Sequence, residues 1–376
     1  MSEDTKIPTI VFTGGHHNSA LTIARELAQT DQAKIVWYGH KFSMAGDTNE
    51  TAEYREVTKS GIVFREILAG KVYKTFQPLQ WIRLPIGIIQ SFWFLLLDRP
   101  QLIVSFGGYL AAPVVLSGWV LRIPSITHEQ TTVVGLANRF IGKFAKTICI
   151  TWPQSKTYFD QSKVVITGLP LRDSLFTVNK EQLFTDDQLP IVYITGGKQG
   201  SHIINDVVAQ SLDQLLQRFN VIHQTGGNTQ FNDYHKHQDL KTQLPAQLAS
   251  RYMVKEYIFE DEIGNVFSQA DIVLTRAGAH VLYEIAALGK PAIFVPIPWV
   301  SHNEQYKNAR LLVNEGSALI VPEDRFSVQS LMTSLDTILQ KKEQFASCAQ
   351  TAREKIIYNA KERIINEIKK ILSKEE

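Results

Sequence analysis

Pro190-Ile191-Val192-Tyr193-Ile194-Thr195-Gly196-Gly197-Lys198-Gln199-Gly200 is the stretch whose reading decides the fold. A short run of β-branched and aromatic residues reads as a buried strand, and the helical pattern resumes at about Ile203. Glycines between a strand and a helix let backbone N–H groups approach phosphate oxygens at the positive end of the helix. A tight strand–helix turn accounts for the same residues equally well. The stretch is neither a G-x-x-x-x-G-K-[ST] loop nor a G-x-G-x-x-G turn. The same order of events occurs near the start: Pro8–Thr13, then Gly14-Gly15, then a helix over Asn18–Gln29. Two such openings predict two Rossmann-like domains with parallel sheets, not one long sheet.

Further strands are predicted at Lys34–Tyr38, Gln101–Ser105, Ile123–Thr127, Thr147–Ile150 and Lys163–Thr167. A second series follows the polar stretch Asn179–Leu189: Phe219–Gln224, Asp271–Thr275, Ala292–Pro296 and Ala318–Val321. The pattern divides the chain into residues 1–165, 166–345 and 346–376. The last part is one amphipathic helix, Phe345–Leu372, with Ile357, Ala360, Ile364, Ile368 and Leu372 on a face that would brace the two domains.

Composition agrees with two cores. The 376 residues are 44% hydrophobic and 20% charged, which excludes a disordered chain. The formal charge of +2 argues against nucleic acid as a partner. It hides an asymmetry: residues 1–165 hold 17 basic and 12 acidic side chains, and the remainder 22 and 25. Cys149 and Cys348 read as structural thiols. Met1-Ser2-Glu3-Asp4 does not resemble a signal peptide. The apolar run Trp81–Leu97 is interrupted by Arg83, Pro85, Gln90 and Ser91 and is short for a spanning helix. With Lys71, Lys74 and Arg83 nearby, it predicts a patch that docks on anionic lipid, although much of Ile86–Leu97 also suits a core helix.

Several motifs carry chemistry. Thr13-Gly14-Gly15-His16-His17-Asn18 and Phe106-Gly107-Gly108-Tyr109 each follow a strand and open a helix. His128-Glu129-Gln130 closes Ile123–Thr127, where a parallel sheet presents its ligand crevice, so Glu129 is a general-base candidate. Thr275-Arg276-Ala277-Gly278-Ala279-His280-Val281 leads to Glu284, whose carboxylate suits a ribose diol but also an ordinary solvated helix position. Glu304-Gln305, followed by Asn308, suits sugar hydroxyls or a plain helix start. Glu260-Asp261-Glu262 reads as the acidic first turn of a helix before it reads as a metal site. No nucleophile elbow and no zinc spacing are present.

Together these motifs resemble the MurG-type N-acetylglucosaminyltransferases of peptidoglycan synthesis, across nearly the whole chain. The matches also include Pro113, Gly135, Asn138-Arg139, Gly168-Leu169-Pro170-Leu171-Arg172 and Ala309. The resemblance implies a GT-B fold, two Rossmann-like domains facing across a cleft. It implies transfer of N-acetylglucosamine, with inversion, from UDP-N-acetylglucosamine to a muramyl-peptide on a polyprenyl diphosphate. The enzyme would sit peripherally on the cytoplasmic face of the membrane, with no cofactor and no resident metal. A different glycolipid acceptor and a non-catalytic nucleotide-binding scaffold are the alternatives.

By the same resemblance, Gly14, Gly15, Gly107 and Gly108 would cradle the acceptor diphosphate. Asn18, Tyr109, His128 and Asn138 would complete the acceptor site. His16 and Glu129 would flank the acceptor hydroxyl, one of them as base. Arg172, Gly197, Lys198, Gln199 and Gly200 would shape the donor site, and the backbone at Phe259-Glu260 would read uracil. Glu284 would hold the ribose, Ala279, His280 and Val281 the diphosphate, and Glu304, Gln305 and Asn308 the sugar. The chain departs from the family pattern at Val11-Phe12 (usually glycines), Thr131 (usually asparagine), Lys198 (usually serine) and Val281 (usually a hydroxyl residue).

Overall fold

The computed structural model describes residues 7–42, 50–69, 78–179, 181–185 and 188–373, with backbone alone at 78–83 and 301. The chain divides into two compact units. The first comprises residues 1–171 together with 357–376, and the second residues 172–356. The expected boundary at 165/166 therefore falls at 171/172, and the expected third segment is shared between the units.

The first unit holds a seven-stranded sheet: β1 Thr9–Thr13, β2 Lys34–Gly39, β3 Val63–Glu66, β4 Leu102–Ser105, β5 Ser125–Glu129, β6 Thr147–Ile150 and β7 Val164–Ile166. Its order is β3-β2-β1-β4-β5-β6-β7, parallel throughout. The second unit repeats the plan with β8 Ile191–Thr195, β9 Asn220–Gln224, β10 Tyr252–Lys255, β11 Ile272–Thr275, β12 Ala292–Phe294 and β13 Ala318–Ile320. Its order is β10-β9-β8-β11-β12-β13, again parallel.

In both sheets the strand order reverses beside the first strand. That switch point opens a crevice at the carboxyl ends of the central pair, β1/β4 in one unit and β8/β11 in the other. Thr13 pairs with Ser105, and Thr195 with Thr275, so each glycine turn leaves the sheet at its crevice. The central strands are buried on both faces, which is why they read as continuous apolar runs.

The C-terminal region is two helices, not one. Lys342–Glu354 buries Phe345, Ala349 and Ala352 and packs on helix Ala279–Leu288 of the second unit. After a break at 355–359, Ala360–Leu372 buries Ile364, Ile365, Ile368 and Ile371 in the core of the first unit beside Ile10 and Phe12. The expected bracing face is thus a core face of one unit.

The apolar run forms helix Pro78–Asp98 with Pro85 inside it. Ser91 and Leu95 are buried, while Ile86, Ile89, Trp93, Leu96 and Leu97 form an exposed stripe at helical spacing. The neighbouring helices Ala111–Val120 and Leu136–Phe144 pack in sequence beside it and expose Trp119, Val120, Leu136 and Phe140. Trp81, Ile82 and Arg83 are described in backbone only, and Met1–Asp4, Lys71 and Lys74 lie outside the described residues. Among the described residues no helix is long and apolar enough to cross a membrane. Cys149 is buried in β6 and Cys348 is half-buried on Lys342–Glu354, both unpaired with another cysteine.

Candidate functional site

The crevice of the first unit is built by two glycine turns in backbone contact. Gly15 N–H donates to Gly107 O (3.0 Å), and Phe106 N–H to Thr13 O (2.8 Å). Gly14 has φ +134°, and a Cβ there would meet the backbone of Phe106 at 2.7 Å. A side chain at this position would force the turns apart. Below them lies a polar chain. Thr127 Oγ1 donates to Asn138 Oδ1 (2.8 Å) and lies 3.2 Å from Ser105 Oγ, whose oxygen also accepts from Gly107 N–H (3.1 Å). Asn138 Nδ2 donates to Glu129 Oε2 (2.8 Å), while Thr131 N–H and Oγ1 donate to Glu129 Oε1 (2.9 and 2.8 Å).

This geometry corrects two expectations. His128 and Glu129 are the last residues of β5, not a loop beyond it, and both are buried. Burial pushes the Glu129 pKa up, and these donors, with the Gln130 backbone N–H, oppose that shift without cancelling it. His128 Nε2 lies 2.8 Å from Gly168 O, so it carries the proton and the ring is neutral. Burial holds its pKa down to about 4. His128 therefore fastens the 167–171 segment to β5. Asn138 is likewise buried, as the link between Thr127 and Glu129.

His16 stands differently. It precedes helix His17–Gln29 and keeps exposed surface. Lost hydration round the ring, with His17 beside it, lowers its pKa to about 4. Gly15 and Asn18 are also exposed, and Tyr109 packs against His40 with ring centroids 5.8 Å apart.

In the second unit the Gly196–Gly200 turn is clasped by the turn after β9. Gly197 N–H donates to Thr195 Oγ1 (3.0 Å), Gln224 Nε2 to Gly197 O (3.1 Å), and Gly227 N–H to Lys198 O (3.1 Å). Gly200 and Gly226 both have positive φ, and a Cβ on Gly200 would lie 1.9 Å from Thr225 O. Asn205 Nδ2 ties Thr225 O back to helix His202–Leu216 (3.0 Å). The result is a fixed turn with Gly197, Lys198 and Gln199 exposed at its tip.

Arg172 and Glu284 form a bidentate ion pair, Nε–Oε1 3.0 Å and Nη2–Oε2 3.1 Å. Burial alone would lower the Arg172 pKa; Glu284 outweighs it and the net direction is up. Glu284 is buried, so this is not a solvated helix glutamate. The guanidinium fixes both carboxylate oxygens, and each keeps lone-pair capacity for a further donor. Ala279, His280 and Val281 form the half-exposed first turn of helix Ala279–Leu288. Glu304 begins helix Glu304–Asn314, and Gln305 Oε1 accepts from Ile297 N–H (3.0 Å). Asn308 is buried one turn on. The Phe259 carbonyl accepts from Glu262 and Ile263 N–H (3.1 and 3.0 Å), and its own N–H donates to Glu262 Oε2 (3.4 Å). The first-turn N–H of Glu260 is one of the helix's N-terminal groups without an intrahelical partner. Glu260, Asp261 and Glu262 are the acidic first turn, and Glu262 pairs with Lys255 (2.6 Å).

Sequence reasoning missed the residues that hold the loops: Ser105, Thr127 and Thr131 in one unit, Asn205 and Gln224 in the other. Arg276 was quoted only as part of a motif. Its Nη2 donates to Ser201 Oγ (2.7 Å) and Nη1 to Val295 O (3.0 Å), and it pairs with Glu323. It therefore links three segments around the β8/β11 crevice. For all but Asn205, which lies within helix His202–Leu216, a polar residue at or just beyond the end of an apolar strand run was the available signal.

The model of the glycosyltransferase family 28 N-terminal domain matches residues 9–150, and that of the family's C-terminal domain residues 191–367. The chain belongs to glycosyltransferase family 28. Among curated relatives it is 31% identical over 375 residues to a Legionella pneumophila protein, covering 94% of this chain and 97% of that one. It is 32% identical over 338 residues to one from Desulfotalea psychrophila, covering 88% and 87%. Both are named UDP-N-acetylglucosamine–N-acetylmuramyl-(pentapeptide) pyrophosphoryl-undecaprenol N-acetylglucosamine transferase. The crystal structure of Acinetobacter baumannii MurG superposes with a TM-score of 0.73 at 25% identity, covering 96% and 99%. The two-unit parallel architecture is thus that of GT-B glycosyltransferases, and the family 28 chain is a glycosyltransferase.

Proposed function

We propose that this glycosyltransferase moves N-acetylglucosamine from UDP-N-acetylglucosamine to the muramyl-peptide on a polyprenyl diphosphate. The observation that carries the reading is the end-to-end match to relatives bearing that name, with a glycine turn at each switch point. In the donor unit, Glu284 accepts the ribose hydroxyls while Arg172 holds it in place. The Gly196–Gly200 turn, with Lys198 at its tip, and the first turn at Ala279–Val281 take the diphosphate. Glu304, Gln305 and Asn308 serve the sugar hydroxyls. In the acceptor unit the paired turns Gly14-Gly15 and Gly107-Gly108 offer backbone N–H groups to the second diphosphate.

His16 is the base in this reading. It is neutral at pH 7 and exposed, whereas Glu129 is buried with three donors on its carboxylate. The acceptor oxygen forms a bond to the anomeric carbon as the bond to UDP breaks, and the hydroxyl proton passes to His16. UDP leaves with the bonding pair, its charge met by Lys198 and the helix N-termini. The anionic diphosphates of both substrates raise the His16 pKa from about 4 toward neutrality, where proton transfer is most effective. Glu129 positions the chain after β5.

The exposed stripe Ile89, Trp93, Leu96 and Leu97, with Trp119 and Phe140 on adjoining helices, docks the enzyme peripherally on an anionic lipid surface. That surface is the cytoplasmic face, where nucleotide sugars are made. Purified protein given UDP-N-acetylglucosamine and a short-chain acceptor tests the reading: disaccharide and UDP form in equal amounts. Flotation with neutral and anionic liposomes tests the docking, which requires binding that depends on the anionic lipid.

A further inference from the structure

The two most exposed large apolar side chains described in the second unit are both aromatic, Trp299 at 78% and Phe259 at 64%. Each follows the carboxyl end of a strand, Phe259 beyond β10 and Trp299 beyond β12. The order β10-β9-β8-β11-β12 sets their strands four spacings apart, about 19 Å at ~4.8 Å each. Between them lie the Gly196–Gly200 turn and the Arg276–Val281 turn. The row is therefore aromatic, phosphate-binding turns, aromatic. A nucleoside diphosphate sugar has the same order: flat base, diphosphate, ring with an apolar C–H face.

The Trp299 loop is held at both ends. Val295 N–H donates to Thr275 O (2.9 Å), Arg276 Nη1 to Val295 O (3.0 Å), and Ile297 N–H to Gln305 Oε1 (3.0 Å). His302 and Asn303 turn the chain into helix Glu304–Asn314 with φ of 55° and 54°, a left-handed geometry that non-glycine residues adopt at a cost. A strained, anchored loop thus presents an indole to solvent immediately before Glu304 and Gln305. An indole left out of every core contributes nothing to folding; against a pyranose it loses water from its face.

We propose that Trp299 is the platform on which the pyranose of the donor stacks, so that it sets the enzyme's preference for a UDP-sugar over UDP. The proposal rests on the assignment of the sugar hydroxyls to Glu304 and Gln305. The test is calorimetric titration of the full chain with UDP and with UDP-N-acetylglucosamine, for the parent, Trp299→Ala, Trp299→Phe and Phe259→Ala. Trp299→Ala weakens UDP-N-acetylglucosamine about tenfold, the size of one aromatic stacking contact, and leaves UDP within about twofold. Trp299→Phe falls between. Phe259→Ala weakens both ligands alike. An equal change for both ligands in Trp299→Ala, or none for either, overturns the platform. If the parent also transfers the sugar in that case, the functional reading stands without it. A parent that binds neither ligand overturns both.

Discussion

Replacing Glu129 with glutamine separates a positioning carboxylate from a catalytic one. Oε1 of Glu129 accepts from Thr131 N–H and Oγ1, and Oε2 accepts from Asn138 Nδ2 (2.8 Å). A glutamine retains one acceptor oxygen. If that oxygen stays with Thr131, its NH₂ faces the NH₂ of Asn138, donor against donor. Asn138 can turn over, but its Nδ2 then meets Thr127 Oγ1, which now donates to Asn138 Oδ1 and must accept instead. The chain from Ser105 to Thr131 thus loses about one charge-assisted hydrogen bond, worth about 1.5–3 kcal/mol, less what is recovered by burying a neutral group. The expected net destabilisation is about 1–2 kcal/mol, a fall in melting temperature of roughly 2–8 °C. Turnover with saturating substrates falls about tenfold or less, because the base is intact and only its surroundings loosen. Thermal melts and a coupled assay of UDP release read the two quantities on one preparation. An unchanged melting temperature with turnover down about 10²–10⁴-fold, the size of a lost general base, would refute the positioning role.

Other outcomes follow from the same geometry. His16→Ala lowers turnover about 10²–10⁴-fold with no change in melting temperature. In the parent, kcat/KM falls as pH drops through the free-enzyme value near about 4, while the kcat limb lies at higher pH, which initial rates from pH 4 to 8 will show. Arg172→Ala costs the second unit about 2 kcal/mol and Glu284→Ala less, because Glu284 is the more buried partner; chemical denaturation measures both, and Glu284→Ala also raises KM for UDP-N-acetylglucosamine. His128 has a folded pKa of about 4 against 6.5 unfolded, so its burial costs nothing above pH 6.5 and about 3 kcal/mol once pH falls to 4. His128→Gln flattens the acid side of the stability profile measured by melting.

Most of the strands visible in the sequence are central and buried, but the edge strands β7 and β13 were visible too, as short apolar runs. The two it did not show, β3 and β10, are the opposite edges of the same sheets, and the polar Arg65, Glu66 and Lys255 cut their apolar runs short. The continuous pattern over Phe345–Leu372 hid the break at 355–359 because both helices keep an apolar face toward their own core. Among the site residues, the glycine turns were legible because backbone approach demands glycine. The Arg172–Glu284 pair was not, since 112 positions separate two residues that only the fold brings together. The burial of Glu129 was not legible because its strand ends at Glu129, two residues later than the apolar run does.

In the proposed reaction one Rossmann-like unit binds the nucleotide-sugar donor and the other binds the lipid-diphosphate acceptor, for a single displacement. Mass spectrometry and proton NMR of the product from UDP-N-acetylglucosamine and a short-chain polyprenyl-diphosphate muramyl-peptide test it, the mass counting the sugars added and the anomeric coupling constant giving the linkage. The product carries one added N-acetylhexosamine in inverted, β-linked configuration, with one UDP released per sugar transferred. UDP release without transfer, or transfer only to an acceptor lacking the diphosphate, would contradict it.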